Sequence, residues 1–330
     1  MPYSQHRFEK MTPMTIIYTR SEIEAVLPRL DAVEAIAQGF MAFSRGDVEV
    51  PPVGELLFPE NSGELHIKYG AVRGDDVFVV KLATGFFNNP AIGLPPFSGC
   101  MLVLSQRTGM VEAVLLEEGE LTNHRTAAAG AVSAKALAVK ELPAIGIVGS
   151  GVQARMQADY LRRVTDCRDL LIWGRSYEAT KRAASDIEKM GFRVSISRSP
   201  NELCERARLI VTTTAAEEPL LTLSMIQPGT HITAMGSDTA GKNEIAPEIL
   251  EAADLVVADS LAQSEYRGEI YQARKAGYLQ RKNVVEFGAV LSGQARGRTS
   301  DEQITLIDLT GVAVQDISIA RAVLRELESE

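Results

Sequence analysis

Short apolar runs alternate with longer segments through the second half of the chain, and this alternation constrains the fold more than any other feature. The runs have the length and composition of buried strands, and most are separated by segments of helix length. They cover residues 145–148, 170–173, 194–196, 209–213, 232–235, 255–258 and 304–309. Such alternation predicts a doubly wound α/β fold with a parallel sheet covered by helices on both faces.

A glycine-rich turn follows the first of these strands. Gly149, Gly151 and Ala154 form a G-x-G-x-x-A pattern that opens a helix, with Val152 and Gln153 between them. In a β-α-β unit the first glycine permits a tight turn, the second lets a pyrophosphate approach the backbone, and the small third residue keeps helix and strand close. The pattern predicts a dinucleotide site at Gly149, Gly151, Val152 and Gln153, with a plain glycine-rich turn as the alternative.

The end of the second strand bears on which dinucleotide is bound. NAD sites expect an acidic residue there to bind the ribose 2′-hydroxyl, whereas this strand ends in Trp173 and is followed by Gly174, Arg175 and Ser176. Arg175 could pair with a 2′-phosphate, and Ser176 could hydrogen-bond to it. We therefore expect NADPH in preference to NADH, which stays possible. A solvent-exposed Arg175 with no ligand is the alternative.

The first half of the chain has a different pattern. Helical periodicity comes first, and residues 51–114 contain short β-type runs separated by glycine, proline, asparagine and aspartate. A helix rich in small residues is predicted from about 122 to 139. We expect a mostly antiparallel sheet in an α+β domain, to which the last helix returns. The predicted domains are residues 1–125 with 305–330, and residues 126–304.

Composition disfavours several kinds of partner. The 43 acidic residues exceed the 34 basic ones, and the resulting net charge of −9 opposes binding to a phosphate backbone. There is no apolar run of about 18 residues, and the amino terminus lacks the apolar core of a signal peptide. The 3 cysteines and 4 histidines show no metal-binding spacing. We expect a cytoplasmic protein without a metal, a nucleic-acid partner or a membrane anchor.

Several motifs are shared with a known family. They are Lys81 at the end of an apolar strand and residues 125–128, 149–154, 236–244 and 268–270. With these motifs the chain resembles the ornithine cyclodeaminase/mu-crystallin family over nearly its whole length. The resemblance implies a homodimer with an α+β domain for substrate binding and dimerisation and a Rossmann-type domain for a nicotinamide cofactor. Members include ornithine cyclodeaminases, imino-acid reductases, alanine dehydrogenases and cofactor-binding crystallins.

Lys81 and Arg125 are the candidate ligands of a substrate carboxylate. Alternation places Lys81 on the same face of its strand as Val77 and Val79, where a charge needs a partner. Arg125 falls in the first turn of the predicted helix, where the helix dipole disfavours a cation. The resemblance assigns both residues to the substrate. The alternatives are a lysine amine that reaches solvent and an arginine in a buried ion pair with a glutamate.

Asp238 follows the strand at residues 232–235, so it lies at the carboxyl edge of the predicted sheet, where ligands bind in this architecture. Burial that raised its pKa would make it a candidate catalytic acid or base, and a turn aspartate is the alternative. By resemblance, cyclodeaminases and dehydrogenases share this aspartate, whereas typical crystallins lack it. The resemblance also assigns Lys242 and Thr126 to the cofactor and Gly311 to the substrate.

Two positions depart from the family pattern. Many members have an arginine near residue 53 as an extra carboxylate ligand, and this chain has Val53. Cyclodeaminases carry a glutamate for the substrate's terminal ammonium on the strand before Lys81, and the ungapped match is Lys68. A cation there would repel ornithine, although Glu64 or a shifted alignment could restore the acid. Lys68 would replace the missing arginine if it faces the pocket, whereas on an edge strand it would face solvent.

These features predict an NAD(P)H-dependent oxidoreductase that reduces the C=N bond of a small imino acid. Lys81 and Arg125 would hold the substrate carboxylate, and Lys81 or Asp238 would supply the proton to the nitrogen. One alternative is an ornithine cyclodeaminase that uses bound NAD⁺ and shows no net redox change. Another is a crystallin-like protein that binds NADPH and a small ligand without turnover.

Overall fold

The computed structural model describes residues 14–280 and 283–329, which are organised around two β-sheets. The strands of the first sheet are β1 (Ile16–Tyr18), β2 (Val48–Glu49), β3 (Gly54–Phe58), β4 (Gly63–Val72), β5 (Val77–Phe86), β6 (Phe97–Ser105) and β7 (Val111–Leu115). The strands of the second sheet are β8 (Ile145–Val148), β9 (Asp169–Trp173), β10 (Arg193–Ile196), β11 (Leu209–Thr212), β12 (His231–Ala234), β13 (Leu255–Ala258), β14 (Val284–Glu286) and β15 (Thr305–Asp308). The helices are α1 (Arg20–Val26), α2 (Ala32–Ser44), α3 (Glu120–Leu137), α4 (Val152–Leu161), α5 (Tyr177–Glu188), α6 (Pro200–Arg206), α7 (Pro247–Ala252), α8 (Gly268–Lys275), α9 (Phe287–Leu291) and α10 (Ala313–Glu328).

The first sheet is antiparallel except for one pair, as the sequence pattern indicates. Its order is β1-β7-β6-β5-β4-β2, with β3 also paired to β4, and only β1 and β7 run parallel. The helix α10 packs across β4 and β5 and covers the face on which Val77, Val79 and Lys81 are buried. Strand β4 is paired on both sides near Lys68, so the alternative of a solvent-facing lysine on an edge strand is wrong.

The second sheet is parallel throughout and confirms the Rossmann-type fold. Its order is β10-β9-β8-β11-β12-β15-β13-β14. Strand β14, which has 3 residues, was not predicted from the sequence. Because all eight strands run in one direction, the segments that follow β8, β9, β12, β13 and β15 all emerge at the same edge of the sheet. This edge faces the first sheet where α3 and α10 pack together.

The boundary between the two halves differs from the prediction. Strand β15 pairs with β12 and β13 in the second sheet, so residues 305–308 do not belong to the first domain. The chain returns to the first sheet only after Asp308, through a short loop into α10. Helix α9 also crosses the boundary, because it packs on α2 with the rings of Phe287 and Phe40 5.1 Å apart.

Helix α3 joins the halves and starts earlier than predicted. It begins at Glu120 because the buried Glu117 carboxylate accepts hydrogen bonds from the backbone N–H groups of Leu121 (2.8 Å) and Thr122 (3.3 Å). These N–H groups have no partner within the helix, so an acceptor before the first turn stabilises its start. Arg125 therefore lies in the second turn rather than the first.

In the part of the chain that the structure describes, no helix combines the length and hydropathy needed to cross a membrane. Within residues 14–280 and 283–329, no group of three or more histidine, cysteine, aspartate or glutamate side chains is placed to hold a metal ion. Cys100, Cys167 and Cys204 are free thiols.

Candidate active site

Two lysines on neighbouring strands form the floor of the candidate site. Lys68 on β4 and Lys81 on β5 are directly paired in the antiparallel register, so both side chains point to the same face, and both are buried. Arg125 reaches this face from α3 and Asp316 from α10. Three cations thus converge under the two helices that join the halves of the chain.

Lys81 has an internal partner that the sequence analysis missed. Its Nζ donates a hydrogen bond to Asp316 Oδ1 at 2.8 Å and a longer one to Thr122 Oγ1 at 3.4 Å. Burial lowers the pKa of Lys81, and the Asp316 carboxylate is the strongest influence in the opposite direction. The alternative of a lysine that extends to solvent is therefore wrong, because this side chain is 1% exposed.

Arg125 contacts two side chains of α10, one through a hydrogen bond and one through an ion pair alone. Its Nε lies 3.2 Å from Asp316 Oδ1, and its Nη1 donates to Gln315 Oε1 at 2.9 Å. A buried ion pair is present, as one alternative predicted, but the partner is an aspartate of α10 rather than a glutamate. The terminal nitrogens of the guanidinium group, Nη1 and Nη2, lie next to Gly311.

Lys68 is buried without a carboxylate at ion-pair distance among the described residues. Its Nζ donates to the backbone carbonyl of Gly311 at 2.5 Å. Burial, together with the positive charges of Lys81 and Arg125, lowers the pKa of Lys68 to about 7. An anion that bound beside it would favour the charged form, so this lysine suits a carboxylate ligand.

Gly311 occupies the point at which Lys68 and Arg125 meet. Its φ is +81°, and a Cβ atom there would lie 3.0 Å from Lys68 Nζ and 3.1 Å from Arg125 Nη1. The buried Asp259, which follows β13, holds this loop by accepting hydrogen bonds from Gly311 N (2.8 Å) and Thr310 Oγ1 (2.7 Å). Because Gly311 has no side chain, Lys68 Nζ and Arg125 Nη1 can both lie close to this loop and stay accessible to a ligand.

Asp238 lies after β12, at the carboxyl edge where the sequence placed it. Lys242 Nζ donates to its Oδ1 at 2.6 Å, and the aspartate side chain is half exposed. Burial opposes ionisation, but Lys242 and the more distant Lys68 and His66 outweigh it, so the pKa of Asp238 is lowered. The condition under which Asp238 was a candidate acid or base, a pKa raised by burial, is therefore not met, and the lowered pKa favours the carboxylate form.

The glycine-rich turn has the geometry expected of a dinucleotide site. Gly149 has a φ of +132°, its backbone N–H donates to Trp173 O at 2.7 Å, and a Cβ atom there would collide with Thr213. Open space lies beside Gly151, and no side chain caps the start of α4. The N–H groups at this helix start have no hydrogen-bond partner among the described residues, so they can donate to an anion.

The start of α4 lies against the start of α3, which connects the two sites. Gln153 Nε2 lies 3.3 Å from both the backbone and the side-chain oxygen of Asn123. One turn further along, Gln157 Nε2 donates to Thr126 O at 3.3 Å. Thr126 therefore contacts α4 through its backbone carbonyl, one turn beyond the contact between Gln153 and Asn123.

Arg175 and Ser176 follow β9 at the same edge of the second sheet. Both are exposed, and Ser176 Oγ accepts a hydrogen bond from Ala179 N at 3.4 Å as the cap of α5. Ser176 thus has a structural role that the sequence analysis did not predict. The guanidinium of Arg175 extends from the position where an NAD site carries its acidic residue.

Comparison with known proteins agrees with this geometry. The model of the ornithine cyclodeaminase/mu-crystallin family matches residues 14–330. The chain belongs to this family. A relative named uncharacterized cyclodeaminase y4tK, from Sinorhizobium fredii, is 40% identical over 320 residues, which cover 96% of this chain and 97% of the relative.

Two solved structures of family members share the whole fold. An archaeal alanine dehydrogenase dimer with bound NAD has a TM-score of 0.88 and 33% identity, and the match covers 96% of both chains. The iminosuccinate reductase of Paracoccus denitrificans, in complex with NAD⁺, has a TM-score of 0.88 and 30% identity, with 96% of this chain and 97% of that chain covered. Relatives of this chain are thus a dehydrogenase, a reductase and a cyclodeaminase.

Proposed function

We propose that this protein is an NAD(P)H-dependent oxidoreductase that acts on C–N bonds and reduces a small imino acid to an amino acid. The observation that carries the proposal is the buried group of Lys68, Lys81 and Arg125. It lies next to the start of α3, which contacts the glycine-rich turn. A cationic pocket suits the carboxylate of an imino acid, and a dinucleotide at the turn supplies hydride to the imine carbon when bound.

The residues present fit a dinucleotide. The turn at Gly149 would hold the pyrophosphate through the free N–H groups of Gly151, Val152 and Gln153, since a side chain caps none of them. Val152 is 56% exposed at this helix start, where an apolar side chain would be covered by a ligand. Lys242, on the loop after β12 at the same edge of the second sheet, would supply positive charge to the same ligand.

Each charged side chain has a defined task in the proposed reaction. The free fork of Arg125 and the Lys68 amine bind the substrate carboxylate, and this binding keeps Lys68 protonated. Lys81 is placed as an ammonium to donate a proton to the imine nitrogen, because Asp316 stabilises its charged form. Asp238, already ionised, stabilises positive charge that develops on that nitrogen.

A direct assay tests this proposal. Purified protein with NADPH, and in parallel with NADH, is mixed with Δ1-pyrroline-2-carboxylate, Δ1-piperideine-2-carboxylate, or pyruvate with methylamine or ammonia. We expect a fall in nicotinamide absorbance with at least one of these imines. Binding of the cofactor without turnover of any imine would contradict the proposal and favour a crystallin-like binding protein.

A cyclodeaminase is the second candidate, because the relative at 40% identity carries that name. The buried Lys68 argues against it, since a cation on the pocket face would repel the terminal ammonium of ornithine. Glu64 lies on the same strand face as Lys68, within 3.6 Å of His66, and is the acidic group nearest along that strand. Release of ammonia from ornithine with catalytic NAD⁺, without imine reduction, would establish this candidate.

We propose NADPH as the preferred cofactor, although the two solved relatives carry NAD. Arg175→Ala should weaken NADPH binding about 5- to 160-fold and leave NADH binding unchanged, because a charge-assisted hydrogen bond to the 2′-phosphate contributes about 1–3 kcal/mol. Titration of both cofactors by fluorescence checks this. Arg206→Ala, an exposed arginine of α6, is the matched control and should change neither affinity. An equal loss for both cofactors would remove Arg175 from 2′-phosphate recognition.

We also propose that the protein is a homodimer through the first sheet. On the face opposite α10, an apolar row crosses five paired strands at Ile17, Val114, Leu102, Val80 and Tyr69. Ile17 is 59% exposed, so this face would expose apolar area to water without a partner. Light scattering should give twice the chain mass for the wild type and the mass of one chain for Leu102→Lys. A wild-type monomer would contradict the proposal.

A further inference from the structure

Asp316 is a charged residue in an apolar position of α10. The spacing of Val312, Asp316, Ile319 and Val323 places them along one stripe of the helix, and all four are buried. A buried carboxylate is costly unless cations and hydrogen bonds compensate it. The compensation here comes entirely from residues of the candidate active site.

One oxygen of Asp316 serves two cations from different elements. Oδ1 lies 2.8 Å from Lys81 Nζ on β5 and 3.2 Å from Arg125 Nε on α3. Without this carboxylate the two positive charges would face each other in a buried space and repel. The second oxygen, Oδ2, is buried and has no hydrogen-bond partner among the residues that the structure describes.

The start of α10 contacts all three cations of the site. Gly311 O accepts from Lys68, Gln315 Oε1 accepts from Arg125, and Asp316 Oδ1 holds both Lys81 and Arg125. Nη1 of Arg125 donates to Gln315, whereas its Nε lies at ion-pair distance from Asp316 and forms no hydrogen bond within the described residues. Nη1 and Nη2, the terminal nitrogens of the guanidinium group, lie nearest to Gly311. A single short segment thus sets the direction of every cationic side chain.

We propose that Asp316 is a positioning residue, whose carboxylate holds Lys81 as an ammonium and turns the free end of Arg125 toward the substrate carboxylate. The identity of the reaction rests on the function proposed above. The claim about Asp316 rests on contacts within this chain. Of the three cations, Gln315 contacts only Arg125 in the described structure, and its amide nitrogen also donates to Asp259 at 3.5 Å.

The effect of Asp316 on the titration of the Lys81 amine can be measured without a ligand and without turnover. Lysine labelled with ¹³C at Cε is incorporated, and the Lys81 signal is identified by its loss in Lys81→Arg. In Asp316→Asn the Lys81 signal should titrate about one to three pH units lower than in the wild type, since an opposite charge in contact shifts a pKa by this amount. An unchanged Lys81 titration in folded Asp316→Asn would overturn the proposal.

A matched control lies on the same helix. Arg321 Nε pairs with Asp75 Oδ2 at 2.6 Å, away from the three cations. Arg321→Gln removes this ion pair, so it should lower the thermal midpoint without moving the Lys81 titration. A shift in Arg321→Gln equal to that in Asp316→Asn would show a general effect of loosening α10, and it would overturn the specific role of Asp316.

Kinetics separates positioning from a purely structural role. In Asp316→Asn the alkaline limb of the profile of kcat against pH should move to lower pH, by as much as the Lys81 titration does, and KM should rise. Gln315→Met should raise KM without moving this limb. Asp316→Glu keeps the charge but displaces it by one methylene group, so the wild-type limb should return with kcat at least about fivefold lower. A wild-type kcat in Asp316→Glu would overturn positioning, even if Asp316→Asn does not fold.

The two proposals fail in different ways. If no imine is reduced by the wild type, the proposed function fails, while the Lys81 titration in the variants still decides the role of Asp316. If imines are reduced but the titration does not depend on Asp316, the function stands and the role of Asp316 is overturned.

Discussion

Lys81→Met is expected to lower kcat for imine reduction by about 10³-fold, within the 10²–10⁴-fold range for loss of a positioned proton donor. The change removes the group placed to protonate the imine nitrogen while leaving the glycine-rich turn untouched. Dinucleotide affinity should therefore stay within about twofold of the wild type. Steady-state kinetics and fluorescence titration of the cofactor measure the two quantities separately.

The stability of Lys81→Met requires its own measurement. Asp316 would lose one of its two cationic partners and keep Arg125 at 3.2 Å, so the thermal midpoint should fall. Lys189→Met, at a lysine that is 73% exposed on the second domain, is the control and should change neither kcat nor the midpoint. A folded Lys81→Met protein with kcat within threefold of the wild type would exclude Lys81 as the proton donor.

Gly311→Ala is expected to reduce kcat/KM by at least about 100-fold, through two effects. The residue has a φ of +81°, and an L-residue in this region costs about 1–2 kcal/mol. The new methyl group would also lie 3.0 Å from Lys68 Nζ and 3.1 Å from Arg125 Nη1, so both cations must move from the position in which they meet a carboxylate. Cofactor affinity should change little, because the glycine-rich turn lies on another segment.

A second glycine separates the backbone effect from the effect on the site. Gly277 has a φ of +90°, and no atom lies within 4 Å of the position that a Cβ atom would take there. Gly277→Ala should therefore lower the thermal midpoint through backbone strain alone and leave kcat/KM unchanged. If Gly311→Ala and Gly277→Ala had the same kinetics, the space at Gly311 would not matter for substrate binding.

Part of the candidate site could be predicted from local sequence. The turn at Gly149 and the helix that follows it depend on neighbouring residues, because backbone freedom and free N–H groups are properties of a short segment. The burial of Lys81 on the face of Val77 and Val79 also follows from strand alternation alone. The position of Asp238 at the carboxyl edge needed only the order of strands and helices.

Other features were outside the reach of local patterns. The start of α3 depends on Glu117, three residues before the helix. Its carboxylate accepts hydrogen bonds from the backbone N–H groups of Leu121 and Thr122. The lowered pKa of Asp238 depends largely on Lys242, which the loop after β12 brings into contact with it. An acid at Asp316, in an otherwise apolar stripe, was the available signal that a buried cation had a partner on this helix.

The parallel sheet, the dinucleotide turn and the presence of cations that require an anion follow from the amino-acid sequence alone, since each depends on periodicity or on the chemistry of adjacent residues. Which groups satisfy those cations depends on the tertiary structure. Lys68 meets Gly311 across 243 positions of the chain, Lys81 meets Asp316 across 235, and Arg125 meets Gln315 across 190. A buried charge selects its partner by proximity in a low-dielectric interior, and that proximity arises only when α10 returns to pack on the first sheet.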